Sequence, residues 1–401
     1  MPDHNLNIKV LVVSPQPFFS PRGTPFSVYY RTLITSELGA KIDLLTYGEG
    51  EDVSITNVNI IRIPRFRCFG NVKIGPSLLK LFLDFFITLK MIWLLITRRY
   101  DVVHAHEESI FIGLILRPIF RFKMIYDMRS SLPQQLTNFQ FTTSSFLIKL
   151  FESLENACLK RSDAVITICP DLYKYVNNII TDREKHFLIE NSIFEPVKLA
   201  TNMHVKDKSD FTKESLGINS RLGKLVIYAG TLEKYQGIDI LIPAFADVLE
   251  KGISAQLIIV GGSNEQVNEF RNLVINCNAQ KNISLVGRVP QSIAKIYNSF
   301  ADVLLSPRSD GTNTPLKVYE QLASGKPLVA TDIYSHTQVL NNDVCFLVKP
   351  NQSDMASGII EALDNKKEVD RKISNALKMY EELYSRPIYK EKLRQIYGLA
   401  S

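Results

Sequence analysis

Short apolar runs alternate with longer helical patterns along most of the chain. Apolar runs bounded by polar residues are typical of strands buried in a parallel sheet, and the stretches between them are long enough for crossover helices. The predicted strands lie at 8–13, 42–46, 59–63, 101–107, 124–127, 163–168, 224–229, 256–262, 283–286, 302–305 and 328–330. Helical patterns lie at 26–38, 78–96, 144–159 and 315–322, and from 353 to the end. This alternation predicts an α/β fold with parallel sheets.

A polar stretch divides these elements into two groups. Residues 194–223 are rich in Lys, Ser and Asn and weakly periodic, which is typical of a linker. A chain of 401 residues is long enough for two domains of ordinary size. We therefore predict a first domain at 1–195, a linker at 196–223 and a second domain at 224–384. The last helix, within 385–401, is expected to pack back on the first domain.

The segment 306–332, SPRSDGTNTPLKVYEQLASGKPLVATD, holds the clearest chemical pattern. It reads as a polar loop after a strand, then a helix with Pro315 near its first position, a Ser324-Gly325 stop and a new strand. A loop at the carboxyl end of a parallel strand, followed by a helix N-terminus, suits a phosphate. Lys317 in the first helical turn is unfavourable there unless an anion lies nearby. The alternative is an exposed i, i+3 ion pair between Lys317 and Glu320.

This segment resembles the donor site of retaining glycosyltransferases of family 4, through SPR, the Thr/Asn/Gly loop, PLKVYE and ASGKPLVATD. The resemblance implies the GT-B fold, in which two Rossmann-like domains with parallel sheets face each other across a cleft. It also implies transfer of a sugar from a nucleotide-diphosphate donor with retention, with no metal or other cofactor. Lys317 is then expected to contact the donor diphosphate, and Glu320 the ribose hydroxyls.

Several family positions are occupied by other residue types in this chain. Thr312 stands where many members have a first Glu, and the resemblance transfers that role to Asp310 or to the loop backbone. Thr231 and Gln236 stand where most members have a diphosphate-binding Arg and Lys, and Arg308 is expected to compensate. The further expected donor-binding residues are Gly230, Thr231, Gly261, Arg288, Asp310, Gly311, Thr312, Asn313, Thr314, Pro315 and Leu316.

The first domain supplies fewer candidates. Gly23 matches a family glycine that lets the backbone approach the donor phosphates, although a plain turn glycine explains it equally well. In the run DVVHAHE at 101–107, His104 is expected in the core and His106 beside the reacting groups. Many family members have a His after the next strand, where this chain has Asp127 and Arg129. Arg129 is predicted to stabilise negative charge on a leaving phosphate or an anionic acceptor. The predicted catalytic residues are thus Lys317, Arg308, Arg129 and His106.

Charge and cysteine content limit the kinds of ligand and the cellular location to be expected. The net charge of +6 suits an anionic substrate or a membrane surface but is too small to indicate nucleic acid. The five cysteines are scattered without a CxxC pair, so neither a disulfide framework nor a zinc site is indicated. The absence of a signal-like N-terminus makes a cytoplasmic location the default expectation.

The strongly apolar run 78–96 raises the question of membrane contact. It carries Lys80, Asp84 and Lys90, so a packed crossover helix is favoured over a helix lying on the bilayer surface, and both over a membrane span. Basic residues flank this run, which favours contact with the anionic cytoplasmic face of a membrane. They are Arg62, Arg65, Arg67, Lys73, Arg98, Arg99, Arg117, Arg121 and Lys123.

The sequence thus predicts a peripheral glycosyltransferase that uses a UDP- or GDP-sugar and a glycan or lipid-linked saccharide as acceptor. Such an enzyme would take part in synthesis of surface polysaccharide or glycoconjugates. No Asp-x-Asp motif is present, so a metal-bridged diphosphate is not supported. Two alternatives remain open. One is a non-hydrolysing nucleotide-sugar 2-epimerase of the same fold, and the other is a membrane-surface binding protein whose donor site has decayed.

Overall fold

The computed structural model describes residues 6–20, 23–66, 77–133, 144–190 and 210–399. These residues form two compact units. The first contains the described residues up to 190 together with those from 386 onward, and the second contains 210–385.

The first unit contains a parallel sheet of seven described strands in the order β3-β2-β1-β4-β5-β6-β7. The strands are β1 Lys9–Ser14, β2 Lys41–Thr46, β3 Val58–Arg62, β4 Val102–His106, β5 Lys123–Met128, β6 Ala164–Thr167 and β7 His186–Leu188. The helices between them are α1 Gly23–Glu37, α2 Leu78–Thr97, α3 Ser109–Phe120, α4 Ser145–Arg161 and α5 Pro170–Asn177. The order reverses between β1 and β4, so the loops after these two strands mark the switch point of the sheet.

The main apolar core of this unit lies on one face of the sheet. It contains the inner residues of α2, α3 and α4, such as Ile87, Ile110 and Cys158, against strand residues such as Val103 and Tyr126. The hydrophobic effect of burying these side chains fixes the three helices on that face.

The second unit contains a parallel sheet of six described strands in the order β10-β9-β8-β11-β12-β13. The strands are β8 Lys224–Ala229, β9 Ala255–Val260, β10 Ile283–Gly287, β11 Val303–Ser306, β12 Leu328–Thr331 and β13 Phe346–Val348. The helices are α6 Ile238–Glu250, α7 Asn264–Asn276, α8 Gln291–Phe300, α9 Lys317–Leu322, α10 Tyr334–Thr337, α11 Gln352–Asp364 and α12 Lys366–Leu383. Here the order reverses between β8 and β11.

The last helix, α13 Arg386–Leu399, belongs to the first unit and packs against α1. Arg386 Nη2 lies 2.6 Å from Glu37 Oε1 at this contact. Its buried residues include Tyr389, Leu393 and Tyr397, which form the apolar stripe expected of an amphipathic helix.

Two Rossmann-like domains with parallel sheets, the predicted fold class, are confirmed. Several details differ from the sequence prediction, and three of them concern helix boundaries. The helical region after Ser353 is interrupted at Asn365, whose side chain accepts the Glu368 N–H and so starts a new helix. A further break follows at Tyr384. The helix predicted from Pro315 begins only at Lys317.

Some predictions fall partly outside the described residues. These are the linker up to residue 209 and the basic residues Arg67 and Lys73. Among the helices that the structure describes, none is long and apolar enough to cross a bilayer, which removes the spanning interpretation of α2.

Candidate active site

Two loops meet at the switch point of the second sheet. The loop after β8 begins with Gly230 and Thr231, and the loop after β11 runs from Pro307 to Leu316. Because β8 and β11 are neighbouring parallel strands, both loops lie at the same edge of the sheet, where ligands bind in open α/β folds. Most of the predicted donor-binding residues are brought together here.

Lys317 is the central cation of this site. Its Nζ lies 4.1 Å from the centroid of the Tyr228 ring, and it has no hydrogen-bond partner among the described residues. Burial, and secondarily the charge of Arg308, lowers the pKa of Lys317 to about 7. A buried ammonium group without an acceptor is costly, and an anion would relieve that cost.

Arg308 provides a second cation at the same edge. Its Nη1 donates to Asn313 O at 3.0 Å, and the guanidinium carbon lies 4.9 Å from the centroid of the Tyr235 ring. Burial lowers the pKa of Arg308, while the nearby Tyr235 and Asp310 oppose that shift. Gly311 has a φ of +129°, and a Cβ there would lie 2.4 Å from Arg308 Nη2. The glycine therefore allows the loop to close around the guanidinium group.

Glu320 pairs with Lys295 and not with Lys317. Lys295 Nζ lies 3.1 Å from Glu320 Oε1. Burial raises the pKa of Glu320, and the charge of Lys295 opposes that rise. The predicted alternative of an i, i+3 pair between Lys317 and Glu320 is wrong, because α9 directs the two side chains to different partners.

Glycines allow three loops to approach closely. Gly261 has a φ of +125°, and a Cβ there would lie 1.7 Å from Gly230 O. Its N–H donates to Gly287 O at 2.8 Å, and Gly230 N–H donates to Val260 O at 2.9 Å. Any side chain at Gly261 would therefore push apart the ends of β8 and β10. Gly230 follows β8, and the exposed Arg288 follows β10.

Thr231 and Gln236, which stand where most family members have a diphosphate-binding Arg and Lys, contact each other. Gln236 Nε2 donates to Thr231 Oγ1 at 3.3 Å, and Tyr228 OH donates to Thr231 O at 2.6 Å. These bonds stabilise the loop that follows β8. They also place the ring of Tyr228 beneath the Lys317 ammonium group.

The rest of the predicted loop is held by its own bonds. Asp310 Oδ1 accepts the Gly311 N–H at 2.6 Å, and Gln338 Nε2 donates to Thr312 O at 2.5 Å. The Thr314 hydroxyl is buried without a hydrogen-bond partner among the described residues, and Pro315 O accepts the Val318 N–H at 3.1 Å.

His336, on the short helix α10, is fully buried. Its Nε2 lies 2.9 Å from Ser306 Oγ and its Nδ1 lies 2.9 Å from Thr331 O. Burial lowers its pKa to about 4. His336 thus joins the ends of β11 and β12 beneath the loop, with both ring nitrogens already occupied.

In the first unit, Asp127 is the centre of a buried group of charges and imidazoles. Its Oδ2 lies 3.0 Å from Arg31 Nε, 3.3 Å from His104 Nε2, 3.1 Å from His106 Nδ1 and 3.6 Å from Arg129 Nη2. Burial disfavours the carboxylate, but the charges of Arg31 and Arg129 outweigh that effect and hold the Asp127 pKa well below its usual range. His106 and Arg129 are thus brought together through Asp127.

The two histidines are neutral members of this group. His104 is buried and its Nδ1 lies 2.7 Å from Tyr397 OH on α13, as expected for a core histidine. His106 is only 1% exposed, and burial lowers its pKa to about 3. Gly23, the remaining candidate of this unit, is the first residue of α1.

His104, His106 and Asp127 also form a potential metal-ligand set, with ligand atoms within 4.8 Å of one another. Two guanidinium groups lie against the same Asp127 oxygen that a metal would need. A divalent cation would therefore meet Arg31 at contact distance, so these residues fit an ion-pair network better than a metal site.

Sequence reasoning missed four features of these sites. Tyr228, Lys295 and Arg31 were not considered, because their roles depend on neighbours distant in sequence. The fourth is a pair of carboxyl groups in the first unit, those of Asp84 and Glu108. Asp84 Oδ1 accepts a hydrogen bond from Tyr47 OH at 2.6 Å. Burial raises the pKa of Asp84 to about 6 and that of Glu108 to about 8.

Comparisons with known proteins show similarity to glycosyltransferases. Residues 209–379, which contain nearly all of the second unit, match the family model described as glycosyl transferases group 1. An uncharacterized glycosyltransferase of Methanocaldococcus jannaschii is 25% identical over 292 residues, or 72% of each chain. A phosphatidyl-myo-inositol mannosyltransferase of Mycobacterium leprae is 26% identical over 187 residues, covering 46% of this chain and 48% of that protein.

The fold itself is shared with solved structures. The Anabaena protein HepE in complex with UDP superimposes with a TM-score of 0.69 at 15% identity, over 98% of this chain and 100% of that one. The two parallel-sheet domains and the family match define this protein as a glycosyltransferase of the GT-B type, an enzyme of class EC 2.4.

Proposed function

We propose that the protein is a retaining glycosyltransferase of family 4 that uses a nucleoside-diphosphate sugar, with UDP- and GDP-sugars as the first candidates. One observation carries the proposal. Lys317 Nζ is buried at the switch-point edge without an acceptor, beside the second cation, Arg308. A diphosphate supplies the missing negative charge. The relative solved with UDP supports the choice of a uridine donor.

The proposed chemistry follows from these charges. The bond between the anomeric carbon and the diphosphate breaks, and the acceptor oxygen forms a new bond on the same face of the sugar while its proton passes to an oxygen of the departing diphosphate. Lys317 and Arg308 stabilise the charge that grows on the departing diphosphate. Glu320, held by Lys295, accepts hydrogen bonds from the ribose hydroxyls, and the glycines at 230 and 261 admit the nucleotide.

The first unit is assigned the acceptor. Arg129 and His106 are proposed to act on the reacting groups, oriented by Asp127. The acceptor is proposed to be a glycan or a lipid-linked saccharide on the cytoplasmic side. The mannosyltransferase named for phosphatidyl-myo-inositol supports a lipid acceptor. No metal or other cofactor is assigned to the reaction.

The test is incubation of the purified protein with a panel of radiolabelled nucleotide sugars and membrane lipid extracts. Transfer should fall at least about a hundredfold in Lys317→Ala, because this variant lacks the cation that stabilises charge on the departing diphosphate. It should fall about tenfold in Glu320→Ala, which lacks the carboxylate that binds the ribose hydroxyls. The exposed Lys251→Ala is the matched control and should match the parent. Proton NMR of the product gives the anomeric configuration, and inversion would contradict family 4.

Other results would favour the competing functions. Formation of a C2-epimeric sugar nucleotide without transfer would indicate the epimerase. Donor binding with neither hydrolysis nor transfer, for every sugar tested, would indicate a decayed site, for which Thr231 and Gln236 at the usual cation positions are the supporting observation.

A further inference from the structure

Several polar atoms of the buried group around Asp127 have no hydrogen-bond partner among the described residues. They are Arg31 Nη1, Arg129 Nε, His106 Nε2 and Asp127 Oδ1. Most buried polar atoms in folded proteins are hydrogen-bonded, and a buried atom without a partner is costly. A cluster of such atoms around one carboxylate therefore indicates contact with a ligand.

The charges of this group do not balance. Among the residues that the structure describes, Asp127 is the only carboxylate within ion-pair distance of Arg31 or Arg129. Burial lowers the pKa of His106 to about 3 and also lowers that of His104, so both imidazoles are neutral near neutral pH. Guanidinium groups stay protonated. Two buried cations thus face one anion, and a second negative group would neutralise the excess.

Arg129 lies at the sheet edge on a loop that is held in place. It directly follows β5, at the carboxyl edge where parallel α/β sheets bind ligands, and it keeps 4% exposure. Ser131 Oγ and Leu132 N–H both donate to the carboxylate of the buried Glu155 at 2.9 Å, and Tyr175 OH donates to it at 3.0 Å. These bonds fix the loop beyond Arg129, and such preorganisation favours affinity for a ligand.

We propose that Arg31 and Arg129 bind an oxyanion of the acceptor, either a phosphate monoester or a carboxylate. Guanidinium groups match the spacing of the oxygens in both anions. We call Arg31, Arg129, His106 and Asp127 the oxyanion site. The inference rests on the acceptor role proposed for the first unit.

Two atoms of the oxyanion site suit hydroxyl groups next to the anion. His106 Nδ1 lies 3.1 Å from the ionised Asp127 and so carries the ring proton, which leaves Nε2 as a hydrogen-bond acceptor. Asp127 Oδ1 is a second acceptor. Both can accept hydrogen bonds from sugar hydroxyls. The acceptor class is therefore a sugar phosphate or an acidic saccharide.

The experiment measures binding of glucose 6-phosphate, glucuronate and glucose to the full chain by isothermal titration calorimetry. It uses Lys317→Met, so that the donor site adds no second phosphate contact. At least one of the two acids should bind with a dissociation constant of about 1 mM or lower, and glucose at least about tenfold more weakly. Preference for glucose 6-phosphate identifies a phosphate monoester, and preference for glucuronate a carboxylate.

Changes at Arg129 test the site itself. In the Lys317→Met background, Arg129→Met should weaken binding of the preferred acid about tenfold or more, and Arg129→Lys should weaken it less. Arg129→Met should stay folded, because Asp127 keeps Arg31 as its counterion. Arg183→Met is the matched control, since Arg183 is exposed in the same unit, and it should leave the affinity unchanged.

Three results would overturn the proposal. They are no binding of either acid, equal binding of the acids and glucose, and a lower melting temperature of Arg129→Met with unchanged affinity for the acid. The last would show that Arg129 has a purely structural role.

The donor is tested separately. With Lys317 intact, Arg129→Met should bind UDP within about twofold of the parent. A loss of UDP affinity as large as that for the acid would place Arg129 at the donor diphosphate and overturn the proposal. Absence of transfer from every nucleotide sugar, by a protein that binds the acid through Arg129, would contradict the proposed transfer reaction but not the oxyanion site.

Discussion

Lys295 Nζ on α8 lies 3.1 Å from Glu320 Oε1 on α9, and this ion pair joins two helices of the second unit. Burial raises the pKa of Glu320, and Lys295 opposes that rise. The pair leaves the second carboxylate oxygen of Glu320 available to a ligand. We therefore expect Lys295 to act as a positioning residue that favours the ionised, hydrogen-bond-accepting form of Glu320.

The first prediction concerns this pair. Lys295→Ala should weaken UDP binding about tenfold at pH 7, since Glu320 loses both its orientation and part of its charge. The affinity for 2′,3′-dideoxy-UDP should change less than about twofold, because that ligand lacks the hydroxyls that Glu320 would contact. Isothermal titration calorimetry of both ligands with both proteins gives the coupling.

Lys295→Arg serves as the conservative control and should recover most of the lost UDP affinity. Equal losses for the two ligands would show that Lys295 does not act through the ribose. Failure of the unmodified protein to bind any nucleoside diphosphate would instead contradict the donor site itself.

The second prediction concerns proton uptake by Lys317. Its pKa is about 7 in the free protein, and a bound diphosphate should raise it. Binding should therefore take up about one proton at pH 8, and affinity should be full below pH 7 and decline as the pH rises above it. At pH 8 the nucleotide phosphate, with a pKa of about 6, is already ionised and contributes little to the proton uptake.

Calorimetry of UDP binding in two buffers of different ionisation enthalpy measures this uptake. Lys317→Met should bind more weakly and take up no proton, whereas the exposed Lys251→Ala should behave like the parent. Proton uptake that persists in Lys317→Met would assign the titrating group elsewhere.

The fold was predictable because its strands are buried on both faces and appear as continuous apolar runs. The helices were less predictable from the sequence. α3 has the sequence SIFIGLILRPIF, which is apolar on nearly every side and contains Pro118, so it lacks a clear helical period. α7 and α8 are short polar-rich segments whose inner residues are few, and the sequence analysis did not predict them.

The placement of Lys317 and Glu320 on one short helix was predictable from local spacing. The residues that contact Lys317 and Glu320 were not predictable in this way. Tyr228 reaches Lys317 from β8 and Lys295 reaches Glu320 from α8, contacts that exist only once the sheet has assembled. Arg31 likewise meets Asp127 through the packing of α1 on the sheet. Charge pairing across elements is a property of tertiary structure and leaves no periodic signal.

The third prediction concerns the buried charges around Asp127. Asp127→Ala leaves Arg31 and Arg129 buried without their counterion and should lower the free energy of unfolding by about 3–5 kcal/mol. Asp52→Ala removes an exposed partner of Arg62 and should cost less than about 1 kcal/mol. Urea unfolding followed by circular dichroism measures both. Equal small losses would mean that the Asp127 network contributes little to stability. Adding Arg31→Met to Asp127→Ala should restore part of the loss.

The fourth prediction concerns Glu108, whose pKa is raised to about 8 by burial and by the nearby Glu107 and Asp84. Between about pH 4.5 and pH 8 the folded state retains a proton that the unfolded chain releases, so the free energy of unfolding should fall as the pH rises. Glu108→Gln removes this titration. The variant should differ from the parent by less than about 1 kcal/mol near pH 5 and exceed its stability by roughly 3–4 kcal/mol at pH 8.

Urea unfolding at pH 5, 6.5 and 8 tests this difference. The exposed Glu152→Gln is the control and should leave the pH profile of the parent unchanged. Asp84, with a pKa raised to about 6, continues to titrate in Glu108→Gln, so a shallower dependence should persist at the acidic end. Parallel curves for the parent and Glu108→Gln would show that Glu108 titrates normally. That result would place its carboxylate in contact with water beside α3 and remove the physical reason for its raised pKa.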